Sequence, residues 1–187
     1  MNSTINYLIQ DIPNPLLHID SEYDLHRWNF NAISGRIIIN IWIKPEIHNT
    51  GVNVLTLYGM NDTNEEIPVF VMDTEGAFFY SYDGASKKKL SHFESDNWYS
   101  IYLDFNCYTK SYSLYIDGER ALQGKATDCS FSNIHAVSVG SHGGVMYVKR
   151  LHVYTNPVQD ILSFSENKTL FDAKELGDET AIEVINK

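Results

Sequence analysis

Basic residues are scarce in this sequence of 187 residues. It has 14 Lys and Arg against 24 Asp and Glu, which gives a formal net charge of -10 at pH 7. Because an acidic surface repels phosphate backbones, the composition argues against nucleic-acid binding. The one basic run is Lys87-Lys88-Lys89. We interpret it as a solvated turn between two strands rather than as a contact for a polyanion.

Long apolar runs are also missing. No segment approaches the ~20 apolar residues that a membrane-spanning helix needs, so we predict no membrane span. The opening residues, MNSTINYLIQD, have neither the basic nor the apolar region of a signal peptide. The localisation stays open between an intracellular protein and the secreted or cell-surface domain of a longer one.

Cysteine is nearly absent, with Cys107 and Cys129 as the only two. Two cysteines make no disulfide framework. A hairpin could bring them to the same end of the sheet, so a bridge and two free thiols both remain open. The sequence also has no H-E-x-x-H, G-x-S-x-G, P-loop or Rossmann fingerprint, and it therefore offers no catalytic motif.

Strand-like alternation takes the place of long helical periodicity. From Trp98 to Phe105 and from Tyr112 to Asp117, apolar and polar residues alternate with period two, as in half-buried strands. The five residues between these strands suit a hairpin loop, and Asp117-Gly118 favours a type I′ turn. This hairpin is the centre of the predicted fold.

Similar segments recur at short intervals along the chain. The further predicted strands are 16–19, 36–46, 52–59, 67–73, 76–84, 119–126, 135–141 and 145–154. Residues 21–31, which mix charged and aromatic side chains, are predicted as a loop over one sheet end. This pattern indicates an all-β antiparallel sandwich over residues 1–155. Residues 156–187 are predicted to be a C-terminal appendage with a short helix.

The order of several phrases resembles the laminin-G-like and concanavalin-A-like jelly rolls. The phrases are IWIKP, WYSIYLDF, YSLYIDGE, VSVG and VMYVKRLHVY, within residues 30 to 155. The resemblance implies a jelly-roll β-sandwich and a superfamily of lectins, carbohydrate-binding modules, lyases, glucanases and adhesion modules. It does not select among these functions. The carboxylate-bearing E-x-D-x-x-E strand of the retaining glucanases is missing.

Side-chain parity indicates an aromatic outer face. If Ile101 points into the core, then Trp98, Tyr102 and the cross-strand Tyr115 point away from it, and Trp42 does the same on its own strand. In carbohydrate-binding modules that the sequence resembles, such rings stack on sugars. The alternative is that these rings are packed under loops or pair across strands.

Two other sets of residues are weaker candidates. Asp20, Glu22 and Asp24 alternate in one acidic stretch and could offer carboxylates to calcium, but without the glycine and glutamate spacing of an EF-hand a solvated loop is the favoured interpretation. His142, before Gly143-Gly144, is a candidate ligand-binding residue in a turn between two late strands.

These observations together favour a non-catalytic recognition domain for a glycan or glycoconjugate. One alternative is a protein-interaction or assembly module of a larger protein, which an extensive apolar patch would support. The other is a divergent polysaccharide lyase or glycoside hydrolase, which two carboxylates or a Tyr-His pair in one cleft would support.

Overall fold

The structure is a computed structural model that describes residues 7–8, 17–19, 25–47 and 51–156. All regular elements in these residues are β-strands. No helix of a length and apolarity that would cross a membrane occurs among them. The predicted appendage and its short helix fall beyond Asn156, outside the described residues, and remain predictions.

Thirteen strands are found in the described residues. They are β1 (Tyr7–Leu8), β2 (Leu17–Ile19), β3 (Leu25–Ile33), β4 (Arg36–Pro45), β5 (Val52–Asn61), β6 (Glu66–Glu75), β7 (Phe78–Asp83), β8 (Ser86–His92), β9 (Tyr99–Asn106), β10 (Ser111–Ile116), β11 (Glu119–Lys125), β12 (Phe131–His142) and β13 (Met146–Asn156).

These strands form two sheets. The seven-stranded sheet has the order β1-β13-β4-β9-β10-β11, with β2 also paired to β13. The six-stranded sheet has the order β3-β12-β5-β6-β7-β8. Neighbouring strands pair antiparallel in both sheets. The predicted antiparallel β-sandwich is therefore confirmed.

The core lies between the inner faces of the two sheets. In β4 the alternate residues Ile37, Ile39, Ile41 and Ile43 are at most 3% exposed. They pack in one cluster with side chains of the six-stranded sheet, among them Phe70. Because side chains of a strand alternate between faces, the residues between the isoleucines lie on the outer face of the seven-stranded sheet.

The central hairpin has the predicted register. Leu103 in β9 is opposite Leu114 in β10. At the next turn Asp117 and Gly118 have φ of 49° and 78°, as both central residues of a type I′ turn require. The Asp117 carboxylate also accepts a hydrogen bond of 2.8 Å from the backbone N–H of Ser100, which ties this turn to β9.

The predicted loop over residues 21–31 is wrong for its second half. Residues Leu25–Ile33 form β3, an edge strand paired with β12. Trp28 and Phe30 pack against the core cluster, while the alternate residues Arg27, Asn29 and Asn31 are exposed. The residues of β3 therefore do alternate between the two faces of the sheet. The inward-facing residues are aromatic instead of aliphatic, and the charged residues near them hide the period-two pattern in the sequence.

The lysine run was also misassigned as a turn. Lys87, Lys88 and Lys89 lie within β8, an edge strand of the six-stranded sheet. The Lys87 ammonium lies 4.6 Å from the centre of the Tyr80 ring and forms an ion pair of 3.2 Å with Asp73. Charged side chains are common on edge strands because they oppose pairing with further strands.

The two cysteines are free thiols in this structure. Cys107 is buried after β9, and its Sγ lies 3.6 Å from the carbonyl oxygen of Ile33. Cys129 is exposed in the segment between β11 and β12. Burial raises the pKa of the Cys107 thiol to about 12.

Candidate functional site

The outer face of the seven-stranded sheet carries most of the predicted site residues. Trp42 lies on β4, Tyr102 on β9 and Tyr115 on β10, each beside residues that face the core. Tyr102 is directly opposite both Asn40 of β4 and Tyr115. This arrangement is the one that the alternation predicts.

The middle of this outer face is filled, which corrects one expectation. Ile38, Tyr102, Tyr115 and Tyr154 form a cluster in which each residue is 5–7% exposed. The rings of Tyr102 and Tyr115 therefore do not face solvent, because they pack against one another and against their neighbours in the cluster. Burial raises the pKa of Tyr102 far above its ordinary value, so its phenol stays protonated.

The two tryptophans lie together beside this cluster and are only partly buried. The ammonium of Lys149 lies 5.0 Å from the centre of the Trp42 ring and 4.0 Å from that of Trp98. Both distances are within the range of cation–π attraction. The indole N–H of Trp42 is buried and has no hydrogen-bond partner among the described residues.

A β-bulge in β13 explains how Lys149 reaches this position. The register to β4 shifts between Lys149 and His152, and Arg150 has a φ of 53°. Leu151 points into the core and is fully buried. The extra residue lets Lys149 and His152 both lie on the outer face, opposite Trp42 and Asn40.

The aromatic and cationic surface continues along the same strands. Lys44 lies 4.3 Å from the centre of the Tyr147 ring, which stacks on His18 at 4.5 Å. We call the group Trp42, Trp98, Lys149, Lys44 and Tyr147 the indole–lysine band.

A polar cleft lies at the opposite end of the outer face. Its volume is about 240 Å³. Its floor contains Arg36 of β4 and Asp104 of β9, joined by two hydrogen bonds of 2.7 and 2.6 Å. The uncharged residues of the lining are Asn106, Thr109, Ser111, Tyr112, Ser113 and Gln123.

Tyr108 is the most exposed large apolar side chain of the described residues, at 75%. It lies in the β9–β10 loop between two cleft residues, Asn106 and Thr109. Its hydroxyl lies near Gly35, the residue that precedes Arg36 in the chain: a Cβ atom built on this glycine would be 4.0 Å from the hydroxyl oxygen. Parity reasoning missed Tyr108 because it lies in a loop, where side chains have no alternation to follow.

Of the remaining predicted residues, the structure describes only His142, and it does not bring this residue to the outer face. His142 is exposed at the end of β12, in the six-stranded sheet. Asp20, Glu22 and Asp24 lie outside the described residues, so the calcium site remains a prediction. Within the described ranges, no three His, Cys, Asp or Glu side chains lie close enough to hold a metal ion.

Comparison with solved structures agrees with the architecture. A sialidase matches with a TM-score of 0.63 and 10% identity over 85% of this chain, which spans 17% of the sialidase. The Caenorhabditis elegans galectin LEC-6 matches with a TM-score of 0.51 and 13% identity, over 75% of this chain and 96% of the galectin. These matches agree with the fold, an antiparallel jelly-roll β-sandwich.

A family 7 alginate lyase, A1-II′, matches in the same way. Its TM-score is 0.56 at 9% identity, over 73% of this chain and 74% of the lyase. At such identities the likeness concerns the fold alone. No protein-family model matches the sequence, and no curated protein matches it.

Proposed function

We propose that this chain is a non-catalytic recognition domain that binds a glycan or glycoconjugate on the outer face of the seven-stranded sheet. The observation that carries the proposal is the pair of partly buried indoles, Trp42 and Trp98, which both lie within 5.0 Å of the Lys149 ammonium. The three neighbours, a sialidase, a galectin and an alginate lyase, all bear names of carbohydrate-related proteins. The motif order supports a laminin-G-like subtype.

The chemistry of the indole–lysine band suits a sugar. Indole faces are flat and apolar, and they can cover the C–H face of a pyranose ring while its hydroxyl groups stay outward. The Lys149 ammonium has three donors for hydroxyl or carboxylate oxygens.

A glycan array followed by titration of tryptophan fluorescence tests this proposal. The array should include neutral and acidic glycans, and the best ligand should then be titrated against Trp42→Ala and Trp98→Ala. We expect each variant to weaken binding roughly tenfold or more. Trp28→Phe is the matched control because Trp28 packs on the core from the six-stranded sheet.

Two results would contradict the proposal. One is that the wild-type protein binds none of the arrayed glycans. The other is that a glycan binds and neither Trp42→Ala nor Trp98→Ala changes its affinity, while circular dichroism shows both variants to be folded.

A polysaccharide lyase is a second candidate, because the outer face holds a His-Tyr pair. The rings of His152 and Tyr154 lie 6.0 Å apart, centre to centre, at 81°. Both residues are 7% exposed, so a substrate would have to displace what covers them. Incubation with alginate and other uronate polymers, followed by absorbance of the unsaturated product, tests this candidate. Product formation that His152→Ala abolishes would support it.

The interaction-module alternative gains no specific support from the described residues. Their exposed large apolar side chains are Leu25, Ile47 and Tyr108. These three lie on separate elements and form no extensive patch.

A further inference from the structure

We propose that the polar cleft at Arg36 and Asp104 is a separate subsite for one neutral sugar residue, with Tyr108 as its stacking side chain. This inference rests on the proposed glycan-binding function. It adds a second binding site and the class of sugar that this site takes. Four features of the cleft lead to it: its position, size, charge and hydrogen-bonding groups.

Position separates the cleft from the indole–lysine band. Arg36 and Trp42 lie six residues apart on β4, which corresponds to about 20 Å along a strand. The buried cluster around Tyr102 and Tyr115 occupies the sheet between them. A small ligand in the cleft therefore does not reach the band, and the two sites can be tested independently.

The size of the cleft limits what it can hold. At about 240 Å³ it lies below the ~300–1,000 Å³ that is usual for pockets that bury drug-sized ligands. It is open to solvent and lies on a sheet face. This volume suits one sugar ring, with the neighbouring units of a glycan outside it.

The charge in the cleft favours a neutral ligand. The guanidinium of Arg36 and the carboxylate of Asp104 have opposite charges and bond to each other at two points. The other side chains of the lining are uncharged. An acidic sugar placed against Arg36 would also face the Asp104 carboxylate, and a cationic sugar placed against Asp104 would also face the Arg36 guanidinium. In both cases the charge of the sugar would not be compensated.

The hydrogen-bonding groups match sugar hydroxyls. The side-chain oxygen of Asn106 accepts the backbone N–H groups of Tyr108 and Thr109 at 2.9 and 3.1 Å. This assignment orients the Asn106 amide so that its NH₂ is the remaining donor. Asp104 offers carboxylate oxygens as acceptors, and Gln123 offers both an acceptor and donors. Sugar hydroxyls need such a mixture because each of them both donates and accepts.

Tyr108 is not one of the residues that line the cleft, but it is an exposed aromatic residue in the same loop as the lining residues Asn106 and Thr109. Its ring is 75% exposed, and its backbone N–H donates a hydrogen bond of 2.9 Å to the side-chain oxygen of Asn106, which lines the cleft. A sugar ring that extends beyond the cleft can stack on this exposed aromatic face.

Titration with small sugars followed by two-dimensional amide NMR tests the inference. The probes are cellobiose, maltose and lactose as neutral disaccharides, and a galacturonic acid disaccharide as the acidic counterpart. We expect at least one neutral probe to shift the side-chain amide signals of Asn106 and Gln123. The acidic probe should bind roughly tenfold more weakly.

Variants at the cleft rim complete the test. Tyr108→Ala and Gln123→Ala should each weaken the neutral probe severalfold, and Tyr108→Ala should have the larger effect. Both side chains are exposed, so neither change threatens the fold. Leu25→Ala, an exposed apolar residue on the six-stranded sheet, is the control and should leave binding unchanged.

The outcomes distinguish this inference from the proposed function. If glycans bind and depend on Trp42 and Trp98, while no neutral disaccharide shifts the cleft signals, the cleft inference is overturned and the proposed function stands. Equal binding of the acidic probe, or an unchanged affinity in Tyr108→Ala, also overturns the inference. If no glycan of any kind binds, both proposals fall.

Discussion

The ring of Tyr102 packs edge-on against the ring of Tyr115, with 5.9 Å between their centres and 80° between their planes. The two residues are direct cross-strand partners in β9 and β10. Edge-to-face pairs of this kind are worth about 0.5–1.5 kcal/mol beyond the area that they bury. With Ile38 and Tyr154 they form a second, smaller core on the outer face of the sheet, and this core separates the indole–lysine band from the polar cleft.

Truncation of this second core should destabilise the protein. We expect Tyr115→Ala to lower the free energy of unfolding by about 3 kcal/mol, because it removes a buried aromatic ring and leaves a cavity. Urea denaturation followed by circular dichroism measures the change. Tyr108→Ala is the control and should cost less than about 0.5 kcal/mol, since its ring is exposed. Equal costs for the two variants would show that the cluster around Tyr115 adds no stability.

The Arg36–Asp104 pair should matter more for stability than an exposed ion pair does. Both side chains are 13% exposed and are joined by two hydrogen bonds. We expect Asp104→Asn to cost about 1–3 kcal/mol in unfolding free energy, because the variant cannot make a charge-assisted, two-point contact with the guanidinium.

Asp96→Asn is the matched control for this substitution. Asp96 lies 3.6 Å from the ammonium of Lys44, and its side chain is 85% exposed. Exposed pairs contribute about 0–1 kcal/mol, and Asn tolerates the positive φ of 69° at this position. A larger loss for Asp96→Asn than for Asp104→Asn in urea denaturation would contradict the assigned roles.

The inward-facing rows of the fold could be predicted from the sequence, because burial of one face imposes a period of two on β4 and on the β9–β10 hairpin. The contact of Lys149 with two indole rings could not be predicted. It depends on the bulge at Arg150 and Leu151. One extra residue at this point exchanges the inward-facing and outward-facing side chains for all residues of β13 that precede the bulge.

The burial of the outer tyrosines could not be predicted for a different reason. Alternation assigns Tyr102 and Tyr115 to the outer face, but it does not tell whether other side chains cover that face. Their burial requires Ile38 and Tyr154 from two further strands, and this strand order is a long-range property. The polar cleft combines β4, β9, β10 and β11 in the same way.

Glu66 should make the stability of the six-stranded sheet depend on pH. Its carboxylate accepts two hydrogen bonds from the Arg27 guanidinium and lies 2.8 Å from Nε2 of His135. The hydrogen bonds from Arg27 lower the pKa of Glu66 to about 2. A lowered pKa stabilises the folded state above the ordinary glutamate value, and this contribution is lost as the pH falls from about 4.5 towards 2.

Unfolding free energies of wild type and Glu66→Gln at several pH values check this expectation. We expect the variant to be less stable by about 1 kcal/mol near pH 7, a modest value because the side chain is 33% exposed and screened by solvent. The difference should vanish near pH 2. Glu119→Gln, at an exposed position of β11, should show little change at either pH. A difference for Glu66→Gln that persists at pH 2 would point to packing instead of charge.

The two thiols should differ sharply in reactivity. Cys129 is exposed, whereas Cys107 is buried and its pKa is raised to about 12 by loss of solvation. Because the thiolate is the nucleophile, a thiol reagent at pH 8 should modify Cys129 quickly and reach Cys107 only after unfolding. Ellman titration should therefore count one thiol in the native protein and two in guanidinium chloride. In Cys129→Ser the native count should fall to zero, and a denatured wild-type protein without any free thiol would instead reveal a disulfide between the two.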